Sequence, residues 1–246
     1  SSLSVNLPPG TTPTALATGD FNNDGKRDLL VGTTVGLYIL LGSETGFAAP
    51  QEASLSGGIA TVSPIGIAVA DYNGDGKPDL AILSGSTSGG ATLGVYSGNG
   101  NGTFTSLYVS TYTTILTPSS IAAPDLNGDG RPDIAYYGEP KELVVLYNQG
   151  TNGWSDPKHW PIDDGQLSAN ALNTGDINGD HLTDLVLLAD NYIYTISQKP
   201  DHTLGEPQKI PFSGTVKAVQ VLDVDGDGLS DLLLVNWEDR NPFRFR

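Results

Sequence analysis

Cysteine is absent from this chain, which excludes disulfides, thiol nucleophiles and zinc–thiolate sites. Methionine is absent too, and no basic stretch leading into an apolar segment follows Ser1; a mature chain or an excerpt of a longer protein is expected. No apolar run approaches the roughly 18 residues of a membrane-crossing helix, so membrane insertion is not expected. Basic residues are scarce: 12 Lys and Arg stand against 28 acidic residues, a formal net charge of −16. Such a surface repels a phosphate backbone and argues against nucleic acid as a partner. Glutamate is also scarce, with 6 Glu against 22 Asp. Asp is the shorter carboxylate, suited to turns and tight oxygen cages.

What the chain has is glycine and proline, 31 and 16 in 246 residues, a mix that suits many short strands joined by tight turns. It also has an internal repeat. The segment DFNNDGKRD starts at Asp20, DYNGDGKPD at Asp71, DLNGDGRPD at Asp125, DINGDHLTD at Asp176 and DVDGDGLSD at Asp223. The successive starts lie 51, 54, 51 and 47 residues apart.

The flanks repeat as well. A short strand of small and branched residues is expected before each copy: Thr14 to Gly19, Ile65 to Ala70, Ser119 to Pro124, Asn170 to Gly175 and Val216 to Leu222. A nearly pure apolar run follows each: Leu29 to Val31, Leu80 to Leu83, Ile134 to Tyr137, Leu185 to Leu188 and Leu232 to Val235. A turn and a third strand come next, as in Leu37 to Leu41 and Leu143 to Tyr147. Gly46-Phe47, Gly102-Thr103-Phe104 and Gly153-Trp154 then signal a fourth strand, with Leu204-Gly205 departing from the pattern.

Four strands in about 50 residues is the period of a propeller blade. A second strand apolar on both faces must be covered on both, which blades stacked face to face provide. The small side chains of the first strand fit the crowded hub. A solenoid would need polar caps at its ends, and none is visible. The expected fold is therefore an all-β propeller of four-stranded blades, five repeats in one domain over 1–246. The blades fall near 11–60, 61–114, 115–165, 166–213 and 214–246. Ser4 to Leu7, within the N-terminal strand 1–10, resembles a stray fourth strand like Pro207 to Pro211. It could complete the last repeat, which stops at Phe243-Arg244-Phe245-Arg246, and close the ring. A ring of six to eight blades of which this is a part stays open.

Within each nonapeptide, Asp stands at positions one, five and nine in all five copies, and position three is Asn four times and Asp once. These loops hold 16 of the 22 Asp. Positions one, three and five of a tight loop point to one interior, the position-seven carbonyl adds an oxygen, and position nine closes the cage. Hard oxygen ligands in that number suit Ca²⁺.

The candidate ligands are Asp20, Asn22, Asp24, Lys26 and Asp28; Asp71, Asn73, Asp75, Lys77 and Asp79; Asp125, Asn127, Asp129, Arg131 and Asp133. The last two loops offer Asp176, Asn178, Asp180, Leu182 and Asp184, then Asp223, Asp225, Asp227, Leu229 and Asp231. The Lys, Arg and Leu in these sets contribute only their main-chain carbonyls. About five calcium ions, one per repeat, are expected. Without a cation, two carboxylates about 4 Å apart repel by roughly 4 kcal/mol at an effective dielectric near 20. Position six is Gly25, Gly76, Gly130 and Gly228, where the chain must turn sharply, but His181 in the fourth loop. His tolerates a left-handed backbone better than most residues, so a formed but weaker site is expected there. An EF-hand is excluded because position twelve is Val31, Ile82, Tyr136, Leu187 or Leu234 rather than Glu, and the flanks are strands.

The run D-x-[ND]-x-D-G-x-x-D-[LI], with its downstream Gly-x-aromatic, resembles the FG-GAP and VCBS repeats of integrin alpha chains, many bacterial exported proteins and certain fungal lectins. The resemblance covers essentially the whole chain. It implies an extracellular or cell-surface setting rich in calcium, with calcium loops on one face and ligand-contacting loops on the other.

Outside the loops, His159, His181 and His202 have no spacing of a catalytic pair or metal cluster, and no nucleophile elbow or phosphate loop occurs. Asp163-Asp164 reads as a solvated turn, and Asn101-Gly102-Thr103 is a formal glycosylation sequon. Ser84 to Thr92 reads as a flexible Ser/Gly loop. On the face away from the calcium loops, Tyr137, Glu139, Trp237, Glu238 and Arg240 pair aromatics with charges, as a sugar or protein contact would. The competing reading packs Tyr137 and Trp237 between blades. The expected function is a non-catalytic binding, adhesion or scaffold module beside other domains of the same parent chain, with a protein or glycan ligand. A calcium-dependent lectin is the alternative, and a polysaccharide-acting enzyme a more distant one.

Overall fold

The computed structural model describes residues 6–57, 63–85, 91–112, 118–138, 141–162, 171–189, 192–212, 216, 218–226 and 229–235. The chain divides into two compact units, Ser1–Pro118 and Ser119–Arg246, taken separately below. No helix among the described residues is long and apolar enough to cross a membrane.

In the first unit, Pro13–Gly19, Asp28–Thr33, Gly36–Leu40 and Gln51–Glu52 form a four-stranded antiparallel meander in chain order. A ribbon of Gly42–Ser43 with Gly46–Phe47 intervenes before the outer strand. Pro64–Ala70, Asp79–Gly85, Ala91–Gly98 and Thr103–Tyr112 form a second meander, whose outer strand carries Ser54–Ser56 alongside it in parallel. The two sheets pack through Phe21, Leu30, Leu37, Ile39, Leu80, Ile82, Tyr96 and Phe104. Phe21 and Phe104 meet edge to face with ring centroids 5.7 Å apart.

The second unit repeats the design. Pro118–Ala122, which begins at the unit boundary, is followed by Ile134–Gly138, Glu142–Leu146 and Lys158–Pro161. Leu172–Gly175, Asp184–Ala189, Tyr192–Ile196 and Gln208–Pro211 make the next meander, and Ala218–Leu222 pairs with Asp231–Val235. One core cluster, including Leu143, Val145, Leu172, Leu185, Leu187 and Tyr194, lies between the two four-stranded meanders. Another, Ala171, Val186, Leu188, Ile193 and Val219, joins the second meander to the pair. The protein is thus all-β, built of propeller-type blades.

The apolar second strands explain the packing. Every residue of Ile134–Gly138 and of Asp184–Ala189 is buried: each strand has a partner on both sides, and Asp184–Ala189 packs into one core cluster through Leu185 and Leu187 and into the other through Val186 and Leu188. The Gly-x-aromatic signal opens the outer strand in the second blade, where Thr103 and Phe104 are its first residues, but marks a turn ahead of that strand in the third and fourth. Trp154 forms a single bridge to Asn148, and Leu204 one to Gln198, before the outer strands begin. Ser84 and Gly85 differ from the expected loop: they pair with Thr92 and Ala91, so the hairpin extends into the Ser/Gly stretch, whose residues 86–90 lie outside the described ones. Side chains this small still complete a ladder, since pairing uses the main chain. Of the expected closing strand, Ser4 and Val5 lie outside the described residues, and Asn6 and Leu7 are not in a strand.

Candidate metal centre

Each Asp-rich nonapeptide joins a first strand to a second, and its polar side chains fold back on its own main chain. The second loop shows the pattern. Asp71 Oδ1 accepts the N–H of Gly74 and Asp75, at 2.7 and 3.0 Å, and its Oδ2 accepts that of Gly76 at 2.7 Å. Asn73 Oδ1 accepts the Asp75 N–H at 2.8 Å, and Asp75 Oδ1 accepts the Lys77 N–H at 3.0 Å. The third and fourth loops repeat this bond for bond; in the first, Asp20 takes the amides of Asp24 and Gly25.

Such a path needs left-handed backbone. Gly25, Gly76 and Gly130 adopt φ of +82, +80 and +80° at position six, and His181 is held at +65° in the same place. Position four is left-handed too, through Asn23, Gly74, Gly128, Gly179 and Gly226. That second requirement was legible in the recurring Gly, and in Asn, the next most tolerant residue.

Position nine has a different task. Asp28, Asp79, Asp133 and Asp184 are fully buried. In each, Oδ2 accepts the N–H of position two (Phe21, Tyr72, Leu126 or Ile177) at 2.9–3.2 Å. Their Oδ1 atoms accept the N–H of Gly42, Gly98, Asn148 and Gln198, at or just past the ends of the third strands, at 2.7–2.9 Å. One carboxylate thus ties loop, second strand and third strand, and satisfies two otherwise orphaned amides. Position two anchors the loop from below: Phe21, Tyr72 and Leu126 are buried. Its signal in the sequence is an apolar residue in all five copies, Phe, Tyr, Leu, Ile and Val.

The electrostatics follow burial. Desolvation pushes the Asp133 carboxyl up to about 7 against the bonds from Asn148 and Leu126, with Asp129 and Asp125 adding repulsion. Desolvation likewise raises Asp79 to about 6. At the rim, Asp75 is held low, first by its bond from Lys77. An anionic floor under anionic rims is an arrangement a cation would relieve.

The fifth loop differs. One oxygen each of Asp223, Asp225 and Asp231 lies within 4.8 Å of the others, the single such trio of described residues. In the first four loops position three is Asn, so the same three positions hold two carboxylates and a side-chain amide. In the fifth loop, Asp231 Oδ2 also accepts the Val224 N–H at 3.0 Å, so position nine serves both as tie and as a convergent donor. An all-oxygen set, carboxylates with one side-chain amide oxygen in each of the first four loops and carboxylates alone in the fifth, fits a hard divalent cation such as Ca²⁺ and offers nothing to a thiophilic metal. Asp227 and Gly228 lie outside the described residues.

The other candidates fall as follows. Tyr137 is buried in the core between blades, as the packing reading has it, and does not present its ring to a ligand. Every residue of its strand is buried. Glu139, Trp237, Glu238 and Arg240, and the pair Asp163-Asp164, lie outside the described residues. His159 is on an outer strand, 2.8 Å from Glu142; His202 occupies a turn at φ +62°; His181 Nδ1 is 3.6 Å from Asp176. Asn101 Oδ1 accepts the N–H and hydroxyl of Thr103, capping a turn.

The sequence model of the FG-GAP-like repeat matches residues 20–82, 81–136, 125–187 and 176–234. The last match ends within the strand that follows the fifth Asp-rich loop. No curated protein matches the chain. Among solved structures, BBS1N in complex with ARL6DN, in crystals soaked with mercury, is similar at a TM-score of 0.60 and 16% identity over 96% of this chain and 63% of that one. The lead-soaked form gives 0.58 and 14% over the same shares. This chain therefore spans less than two thirds of the length of those relatives. A lectin from Agrocybe aegerita that recognises non-reducing terminal N-acetylglucosamine is similar at 0.43 and 15%, over 91% of this chain and 75% of that one. With four matched repeats running from 20 to 234, the chain belongs to the FG-GAP-like repeat family.

Proposed function

We propose that this chain is a calcium-stabilised, non-catalytic binding or scaffold module of an exported protein, working outside the cell. The observation that carries the reading is the convergence of Asp223, Asp225 and Asp231 on one point, in a loop pattern that recurs five times. Calcium in each loop would neutralise the rim carboxylates and join first strand to second. The buried position-nine carboxylate then carries that order into the third strand. Five such ions would bring the formal charge from −16 to −6. The non-catalytic reading has its support in where the acids are spent, since 16 of the 22 Asp belong to the loops. An extracellular setting suits sites that need calcium at high concentration.

Thermal unfolding in millimolar calcium and in chelator tests the metal. Each site held at a hundred times its Kd adds about 2.7 kcal/mol, so the two melts should differ by many degrees. Superimposable melts would remove calcium from the account. A glycan array and a pull-down, both in calcium and in chelator, then separate a sugar ligand from a protein one.

A further inference from the structure

Position seven sorts the loops into two kinds. It is Lys26, Lys77 and Arg131 in the first three, and Leu182 and Leu229 in the last two. In the first four loops the N–H of this residue occupies Oδ1 of the position-five Asp, at 2.9–3.0 Å, so Oδ2 is the oxygen not spent on the turn. In the second loop Lys77 Nζ lies 3.1 Å from Asp75 Oδ2, and in the third an Arg131 terminal nitrogen lies 2.7 Å from Asp129 Oδ2. In the first loop that oxygen instead accepts from the Asn22 amide at 3.0 Å.

Both cations are seated by the turn after the third strand of their own blade. Arg131 Nε donates to the Asn148 carbonyl at 3.2 Å. A Cβ added to Gly100 would lie 3.0 Å from Lys77 Cδ, so the missing side chain leaves room for the lysine, while one added to Gly150 would stand at ordinary contact distance from Arg131. The corresponding turn residues, two past the amide that bonds position nine, are Glu44 in the first blade and Pro200 in the fourth.

We propose that Lys77 and Arg131 are resident counter-cations that compete with calcium for Oδ2 of Asp75 and Asp129, so that the second and third loops bind calcium more weakly than the fourth and fifth. This rests on the calcium reading given under Proposed function. A cation in contact with that oxygen must leave when a divalent ion takes it, and the two positive charges then repel at short range. The fourth loop has no Lys or Arg among its nine residues; its His181 lies 3.6 Å from Asp176 rather than on Asp180, a smaller handicap than a fixed cation on the position-five oxygen. The fifth combines four carboxylates with Leu229. The module therefore fills in order as calcium rises. Its second and third loops keep their charge balance when calcium is low.

Calorimetric titration with calcium, paired with ion counting by native mass spectrometry, tests this on the whole chain. The wild type should show two affinity classes. In the double variant Lys77→Leu/Arg131→Leu the weak class should tighten roughly tenfold, the ratio that 1.4 kcal/mol gives. Leu182→Lys should loosen one tight site by a similar factor, with the ion count at saturation unchanged. A second readout separates competition from a plain salt bridge. Lys77→Leu should lower the melting temperature in chelator and leave it unchanged or raised in saturating calcium, whereas a structural ion pair would lower both. Bound ions with identical isotherms in all variants, or equal losses in both buffers, would overturn the competition alone. No ion bound to the wild type would overturn the calcium reading and this one with it.

Discussion

Asp133 and Asp129 stand four residues apart in one loop. The first is fully buried, with both oxygens on main-chain amides; the second lies at the surface beside Arg131. The second blade repeats the contrast in the same form, with Lys77 beside Asp75; the first places Asn22 on the rim carboxylate, and the fourth has Leu182 where the basic residue stands. Identical chemistry at the floor and the rim of a loop thus does two jobs. The floor carboxylate belongs to the fold, because burying it without its amides would cost far more than it returns. The rim carboxylates keep water, and their contribution is open to a metal.

The largest effect should come from breaking the floor. Asp133→Ala leaves the Leu126 and Asn148 amides buried without their acceptor. At about 1–3 kcal/mol for each orphaned group, the loss should approach 3 kcal/mol or more in chelator. For a chain of this size that lowers the melting temperature by roughly 6–12 °C. Asp129→Ala, measured beside it in chelator, should cost less than about 1 kcal/mol. Comparable losses would erase the distinction between floor and rim.

Calcium should reverse the ranking at the fifth loop. Asp225→Ala, which removes the position-three oxygen altogether, should leave the chelator melt nearly unmoved and reduce the calcium-induced gain, with one ion fewer, or one more weakly held, by native mass spectrometry. An unchanged calcium gain would mean that the trio of Asp223, Asp225 and Asp231 is not a metal site.

Smaller effects sharpen the backbone part of the contrast. Gly130→Ala places a Cβ where no atom lies within 4 Å, at φ +80°, so its cost is conformational only, about 1–2 kcal/mol by urea unfolding. His181→Gly at φ +65° should relieve strain and add up to about 1 kcal/mol, the smallest of these changes. A loss there would mean that the imidazole beside Asp176 contributes more than its backbone costs.

Much of this was legible in the residues. The 50-residue period, the polar loop bracketed by branched strands and the apolar second strand each follow from local pattern, and the observed strands start and end within a few residues of those expected. Left-handed position six was legible even where it is His181, because that residue fills the place Gly holds in the other four loops. Other features escaped. The first-blade segment Ser54–Ser56 runs parallel to the outer strand of the next blade, a pairing between distant residues that no local period encodes. Tyr137 could be read as an exposed aromatic or a packed one, because its neighbours Tyr136 and Gly138 are the same in either case.

By itself the sequence determined the repeat, the all-β blade, the acidic loop and the hard-oxygen donor set, because these depend on residue type and spacing within about 50 residues. Only the tertiary structure decided which carboxylates are floor and which are rim. Position nine is buried because a third strand, arriving some 14 to 19 residues later, brings an amide to its second oxygen. That contact, not the aspartate itself, fixes whether the side chain is buried in the fold or stays at the rim.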